Sequence, residues 1–557
     1  MTSLLALDDL TSLGWIPHIV LALYLLFLLT LGYLGYRHGN AGEEDYYLAG
    51  RSQGWIITTL TVIATFLSSF ALMGAPGMVY REGVVFALVS LNAPVAGFCV
   101  YLFGSRIWKI GREKNYVTQA DMICDHYRSP VVLRLLVAFV GMMFVIPYVM
   151  MQIKAGGDLA AVLFREYDHA FEVGAVVLAA ITALYVMIGG MRSVAWTDAV
   201  QCVLLLGGMV LAGVAMISSF GGPAQFSRAI AGLPERSLTI PGNTGLWQWP
   251  FLFTVCLLMP IGSILQPAQW MRFYSARDEE TLRRCALIFI IVIAGAFLFG
   301  IMPVGLGGQA LFPLETTPQG GVAPSSEVGS YDQILVVILK QQLPDLLGPT
   351  LGVFLASLFI VAIMAASMST ADSNLHALSA VLTRDFYDKF VRPSAGQSER
   401  VWVGRAVILL ATTASLAFVM IGHQPASSLN GFMEMIVGMA LFAVAFSVQL
   451  LPITIDMLYW KRGTRMAAIM GLSVGVLFAF LATSLFPMFV DFIHPPPSFD
   501  SGTMPLLRSF LTLVNGCKQA VPIHATAWGL IPNSLVFVSV SLLISDHKEI
   551  HPKSSAG

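Results

Sequence analysis

Apolar stretches of about twenty residues follow one another along the whole chain, separated by short polar or charged segments, and that length is what an α-helix needs to cross a bilayer. About thirteen such stretches begin near Gly14, Trp55, Val84, Val131, Ala170, Val194, Trp249, Cys285, Leu347, Val401, Phe432, Met466 and Ala525. The pattern predicts an all-α membrane protein. The first stretch, Gly14 to Tyr36, has no basic leader and no small-residue cleavage site, so it is expected to remain as a membrane helix.

Two of the stretches are interrupted. The second, Trp55 to Tyr80, contains Ser68, Ser69, Gly74, Pro76 and Gly77, and the seventh, Trp249 to Phe273, contains Pro260, Gly262, Ser263, Gln266, Pro267 and Gln269. Irregular backbone at membrane depth is tolerated only where protein or a cavity satisfies its polar groups. A proline kink made for packing accounts for either segment alone. Their placement five spans apart, at matching positions of two five-helix repeats, favours a solute site instead. Ser68, Ser69, Ser263 and Gln266, with Tyr148 of the fourth span, are the side chains expected to line it.

Composition supports the membrane reading. The 557 residues are 56% hydrophobic and 11% charged, with a mean hydropathy of +0.76, more apolar than a soluble core and its hydrated surface require. The net charge of −1 gives nucleic acid no electrostatic footprint. The six cysteines are scattered singly, without metal-ligand spacing. An odd number of spans puts the termini on opposite sides. With the N-terminus outside, roughly three quarters of the 31 lysines and arginines fall in cytoplasmic segments, among them Arg112, Lys114, Arg272, Arg277, Arg283, Arg284 and Lys389, as the positive-inside rule requires. The C-terminus is then cytoplasmic. Segments 221–248, 313–345 and 494–522, rich in Pro, Gly and Ser, become extracytoplasmic caps and connections.

The ninth stretch carries an unusual density of hydroxyls in the run "IMAASMSTADSNLHALSAVLTRDFY", from Ile363 to Tyr387. Ser369, Thr370 and Ser373 fall on one side of a helix, with Ala366 one turn earlier. Uncharged oxygens suit a hard cation such as sodium, and carbonyls freed by an unwound helix can complete its shell. Hydroxyls bonded back to their own helix are the commoner arrangement for any one of them. Asp372 and His376, spaced i, i+4, read as a polar pair near the cytoplasmic end, with a proton relay as the alternative. Lys154 and Asp158 have the same spacing in the fourth stretch. A charge there is either functional or neutralised in an ion pair, with the lysine snorkelling to the outer interface.

Several motifs, taken in order, resemble the sodium:solute symporter family over most of the chain. "DYYLAGRSQGW" at Asp45 and "LMGAPGMVY" at Leu72 are similar to the lead-in and outer end of that family's first core helix. "GGMRSVAWTDAVQ" at Gly189, "QPAQWMRFYSARDEETLRR" at Gln266 and "MSTADS" at Met368 are similar to its later signatures. The resemblance implies a LeuT-type core of two inverted five-helix repeats. It divides the chain into 1–53, a first helix and lead-in; 54–463, the transport core; and 464–557, two further helices and a tail. It also implies a sodium site made by the carbonyls of Ala64, Leu67 and Ala366 and the hydroxyls of Ser369 and Thr370, and, from some relatives, a second cation site at Asp198 and Ser373.

The chain departs from proline-transporting relatives, having Phe66 where they have an aspartate and Met259 and Ser263 where they have aromatics. It has Ala71 where sugar-transporting relatives use a glutamine, while "IPYVMMQIKAGGD" at Ile146 is similar to monocarboxylate- and histidine-transporting members. The expected function is therefore sodium-coupled symport of a small organic solute, a carboxylate-bearing metabolite or amino acid, across the inner (plasma) membrane. A transporter-like solute sensor and a proton-coupled symporter are the alternatives. No zinc-type His-Glu spacing, nucleophile elbow or paired catalytic carboxylates appear in the spans, which disfavours an intramembrane enzyme.

Overall fold

The computed structural model describes residues 16–37, 42–129, 131–164, 167–318, 320–424, 427, 430–433, 435–493 and 506–544. Among them, ten helices are long and apolar enough to cross a membrane, and two more spans are bent pairs. One of the ten, Ala170–Ser219, is really two: Gly190 has φ 58° and ψ −159° and turns the chain there. A side chain at Gly190 would be strained by the positive φ and would also meet the carbonyl oxygen of Tyr46 at 2.8 Å. Dividing that run brings the spans to thirteen among the described residues, in the order the apolar pattern predicts. The start near Gly14 lies outside the described residues, and the first span runs Ile16–Arg37.

Both interrupted segments are bent where their sequence weakens the helix. The second span consists of Trp55–Phe66 and Phe70–Glu82, which meet at 55°. At the break Leu67 leaves helical geometry (φ −85°, ψ 88°), and the Ser68 hydroxyl accepts the Phe70 N–H at 3.1 Å in place of a backbone carbonyl. The seventh span consists of Trp249–Ile264 and Pro267–Ser275, bent by 52°. Pro267 has no N–H to continue the first half, and the Gln266 side chain caps the second by accepting the Ala268 N–H at 3.3 Å.

The ninth span, Pro349–Val391, is the buried axis of the molecule. It packs against the first span, the first half of the second, the fourth (Val132–Leu163) and the Ala170–Ser219 run. Small residues on its faces (Ala362, Ala365, Ala366 and Ala371, all buried) let those neighbours approach closely, as membrane helices must when lipid offers no hydrophobic drive. The twelfth and thirteenth spans, Arg465–Ala482 and Ala525–Leu543, pack on each other. Asn533 ties them to the eleventh span, Ile436–Trp460, by donating to the Gln449 carbonyl at 2.8 Å.

The end of the bundle expected in the cytoplasm is laced with ion pairs. Arg134 bridges Asp121 and Asp385, and Arg400 bridges Glu43 and Asp388. At the opposite end, short helices Pro223–Ala231 and Glu235–Leu238 and a ribbon pairing Glu315–Thr316 with Val322–Ala323 cover the spans.

Candidate functional site

The broken second span meets the ninth at the residues singled out for sodium. Ala64, Leu67, Ala366, Ser369 and Thr370 are all fully buried. Thr370 donates its hydroxyl across the helix contact to the Ala64 carbonyl at 3.4 Å, and Ser369 donates to the Ala366 carbonyl at 3.0 Å. Leu67 stands at the break itself, its own N–H bonded to the Ile63 carbonyl at 2.8 Å. The Ala64 and Ala366 carbonyls are thus each met by a hydroxyl, Thr370 across the helix contact and Ser369 within the ninth span, uncharged oxygens of the kind a hard monovalent cation takes. Bound there, a cation would take the lone pairs of Ser369 and Thr370 once those hydroxyls turned away from the carbonyls.

The other cation pair, Asp198 and Ser373, is also brought together, but around an arginine. Arg272 donates to Asp198 at 2.8 Å and to the Ser373 hydroxyl; its remaining nitrogens reach the Thr61 hydroxyl at 2.9 Å and the Ala268 carbonyl at 3.0 Å. Thr61 completes the group by donating to Asp198. Arg272 is not the cytoplasmic charge its sequence position suggested: it is 1% exposed, inside the bundle. The available signal was a basic residue five positions after Pro267 within an apolar stretch. Asp372 and His376 do not form the expected i, i+4 pair. Asp372 accepts the Tyr185 hydroxyl at 2.6 Å and that of Ser373 at 2.9 Å, while the His376 ring lies 5.3 and 5.6 Å from those of Tyr46 and Tyr47.

The candidate solute residues separate into two groups. Ser69, just past the break, donates to Gln152 Oε1 from its hydroxyl at 2.7 Å and its N–H at 3.2 Å. Gln152 in turn donates to the Tyr148 carbonyl at 3.2 Å, and the Tyr148 side chain is buried near Ser68. Ser68, Ser69 and Tyr148 therefore form one buried polar patch with Gln152, a residue the sequence displays one turn after Tyr148 without marking its role. Ser263 and Gln266 bond within their own span instead, Ser263 to the Met259 carbonyl at 2.9 Å and Gln266 to its cap position. Their break still abuts the fourth span, because a Cβ on Gly141 would stand 3.2 Å from the Pro267 ring. Gly141 lies two turns before Tyr148 on that helix.

Comparison with known proteins decides the family. A model described as "SSF: Sodium:solute symporter family" matches residues 46–475. The chain belongs to the sodium:solute symporter family. This symporter is 28% identical over 496 residues to a sodium/proline symporter of Haemophilus influenzae, covering 86% of this chain and 90% of that one. It is 28% identical over 468 residues to the Escherichia coli sodium/proline symporter, covering 82% and 86%. A solved structure of a Na+-coupled sialic acid symporter, in a substrate-bound outward-open state, superposes with a TM-score of 0.72 at 19% identity, covering 95% of this chain and 98% of that one. The likeness shows a LeuT-type fold. The symporter is accordingly a multi-pass secondary transporter with sodium as coupling ion, not an enzyme.

Proposed function

We propose that this symporter couples sodium entry to uptake of a small polar solute of the amino-acid or carboxylate-bearing class. Sodium is held by Ala64, Leu67, Ala366, Ser369 and Thr370. The solute is met by Ser68, Ser69, Tyr148 and Gln152 on one wall, and by the seventh-span break, with Ser263 and Gln266, on the other. The observation that carries this reading is adjacency along the break of the second span. Ala64 lies 3.4 Å from Thr370, and five residues on Ser69 is fixed to Gln152. A cation pulling on the carbonyls of Ala64 and Leu67 sets the geometry in which Ser68 and Ser69 are presented, so the two ligands share one flexible segment. At Asp198 and Ser373 the positive charge is already supplied by Arg272, which supports one sodium per cycle.

The relatives named for proline bring that amino acid into the test without fixing it, since Phe66, Met259 and Ser263 depart from the proline-transporting pattern. The transport machinery is assigned to 54–463, with 1–53 and 464–557 flanking it. The N-terminus is assigned to the outside and the C-terminus to the cytoplasm. The test is uptake into proteoliposomes of a radiolabelled panel of proline, other amino acids and monocarboxylates, with and without an inward sodium gradient. Gradient-driven accumulation of one class is the expected result. Sodium-dependent solute binding without accumulation would replace transport by sensing.

A further inference from the structure

Lys154 belongs to a charge cluster that neither the sodium ligands nor the solute patch uses. It is 8% exposed and so does not snorkel to the interface. Its ammonium pairs with Asp158, one turn further along the same helix, and lies 3.5 Å from Oδ2 of Asp332. Asp332 is fully buried and comes from the single turn Tyr331–Gln333, in the connection between the eighth span (Glu279–Leu311) and the ninth.

That turn is wedged between three spans. Asp332 Oδ2 also accepts the N–H of Ile436, the first residue of the eleventh span, at 3.0 Å. The second half of the second span presses against the turn so closely that a Cβ on Gly77 would stand 2.7 Å from the Tyr331 carbonyl oxygen and 3.1 Å from the Asp332 nitrogen. Arg81 lies over the Tyr331 ring at 5.3 Å. The Tyr80 hydroxyl donates to the Phe312 carbonyl at 2.8 Å and accepts the Ser325 N–H at 3.1 Å. One carboxylate and its turn therefore fasten the connection to the second, fourth and eleventh spans at once.

The place of the cluster gives this fastening a consequence. Lys154 is six residues, about 9 Å, beyond Tyr148 on the fourth span, toward the end covered by segments 221–248 and 313–345. The Asp332 turn is thus packed over the solute patch from the side expected to face outward. The charges in the cluster are unequal, with one ammonium against two carboxylates. If Asp332 withdraws, Lys154 keeps Asp158, and no unpaired ammonium remains in the bundle, where an uncompensated charge is strongly unfavourable. Asp158 cannot fasten anything, because it rides on the same helix as Lys154. Only the bond to Asp332 joins separate elements.

We propose that the Lys154–Asp332 pair is the latch of the outer gate: it holds the 313–333 connection shut over the solute path, and opening outward requires Asp332 to leave Lys154 while Asp158 keeps the ammonium neutral. The placement of the path rests on the solute position proposed above; the latch itself is read separately. The experiment attaches spin labels to cysteines at Glu327 in the connection and at Tyr167 between the fourth and fifth spans, in a Cys517→Ser background whose other cysteines are buried or half-buried. The distance distribution of the reconstituted full chain is compared for the parent, Asp332→Asn, Asp158→Asn and Asp332→Glu, alongside KM for external solute. Asp332→Asn is expected to raise the long-distance, open population about tenfold relative to the closed one and to lower external KM, because less free energy goes into opening. Asp332→Glu should match the parent distribution, and Asp158→Asn should lower the open population below the parent's, because the Lys154 ammonium would be left unpaired on opening. If Asp332→Asn is not recovered folded, Asp332→Ser, which removes the charge and leaves room for water, takes its place. A shifted distribution with unmoved KM upholds the latch and overturns the solute position instead. An unshifted distribution, or an equal shift in Asp158→Asn, overturns the latch.

Discussion

The hydroxyl of Thr370 lies 3.4 Å from the carbonyl oxygen of Ala64, joining the ninth span to the second span one turn before its break. Removing an oxygen from a cation's shell in this buried place leaves a position that water fills poorly. Ser369→Ala and Thr370→Val are each expected to raise the sodium concentration for half-maximal uptake by about tenfold, equivalent to ~1.4 kcal/mol. Because coupling is reciprocal, apparent solute affinity at limiting sodium should fall as well and recover at high sodium. Ala64→Gly keeps its carbonyl and should act only through helix flexibility. A sodium titration in which both hydroxyl variants match the parent would reduce Ser369 and Thr370 to helix packing.

Solute recognition should respond unequally at the two breaks. Gln152 accepts twice from Ser69 and stands beside Tyr148, so Gln152→Ala and Ser69→Ala are expected to raise solute KM about tenfold or to change the order of preference across a panel. Ser263→Ala and Gln266→Ala, whose side chains bond within their own span, should shift KM less. Competition assays with the same panel measure both. Parent-like KM and preference in both Gln152→Ala and Ser69→Ala would move the solute elsewhere.

The spans and their breaks were legible in the residues because lipid imposes a length and penalises every polar interruption. Ser68, Ser69 and Pro267 stand out only against that apolar background. Arg272 was misplaced for a related reason. It lies close to the truly exposed Arg277, Arg283 and Arg284, and counting charges by sequence position cannot tell a buried arginine from its surface neighbours. The same limit hid Asp332. Its partners, Lys154 and the Ile436 N–H, are more than a hundred residues away in either direction, and such a pairing leaves no local periodicity. The i, i+4 rule found Lys154 and Asp158 but misled at Asp372 and His376, because Tyr185 on another span offers Asp372 a better donor.

The distribution of basic residues predicts an outside N-terminus, and two exposed positions test it. Glu315–Thr316 is exposed on the ribbon at one end, and Arg284 is 55% exposed at the start of the eighth span at the other. In intact cells, an impermeant thiol reagent should label a Thr316→Cys variant and leave an Arg284→Cys variant unlabelled until the membrane is opened, as an outside N-terminus requires. The reverse pattern would invert the topology.

The last prediction concerns the charge pair at the centre of the bundle. Arg272 and Asp198 are both buried, 2.8 Å apart, and they connect the seventh span to the sixth, with Thr61 of the second and Ser373 of the ninth bonded to the same group. Burying two ions costs desolvation that their attraction only partly returns, but removing one of them leaves the other uncompensated, at a penalty of roughly 3–5 kcal/mol. Asp198→Asn and Arg272→Gln should therefore each lower the amount of folded transporter and its thermal stability severely. The double variant, which removes both charges and keeps polar groups in both places, should recover much of the stability, giving a coupling energy of at least about 2 kcal/mol in the cycle. Stability and uptake need not recover together. If Arg272 only balances Asp198, the double variant should transport with near-parent sodium dependence. If the guanidinium also links the broken seventh span to Ser373 during the cycle, the double variant should fold but turn over slowly, at little cost in sodium affinity. Additive single effects on stability, with no recovery in the double variant, would mean that the two residues act independently and would remove Arg272 as the cation that Asp198 and Ser373 hold.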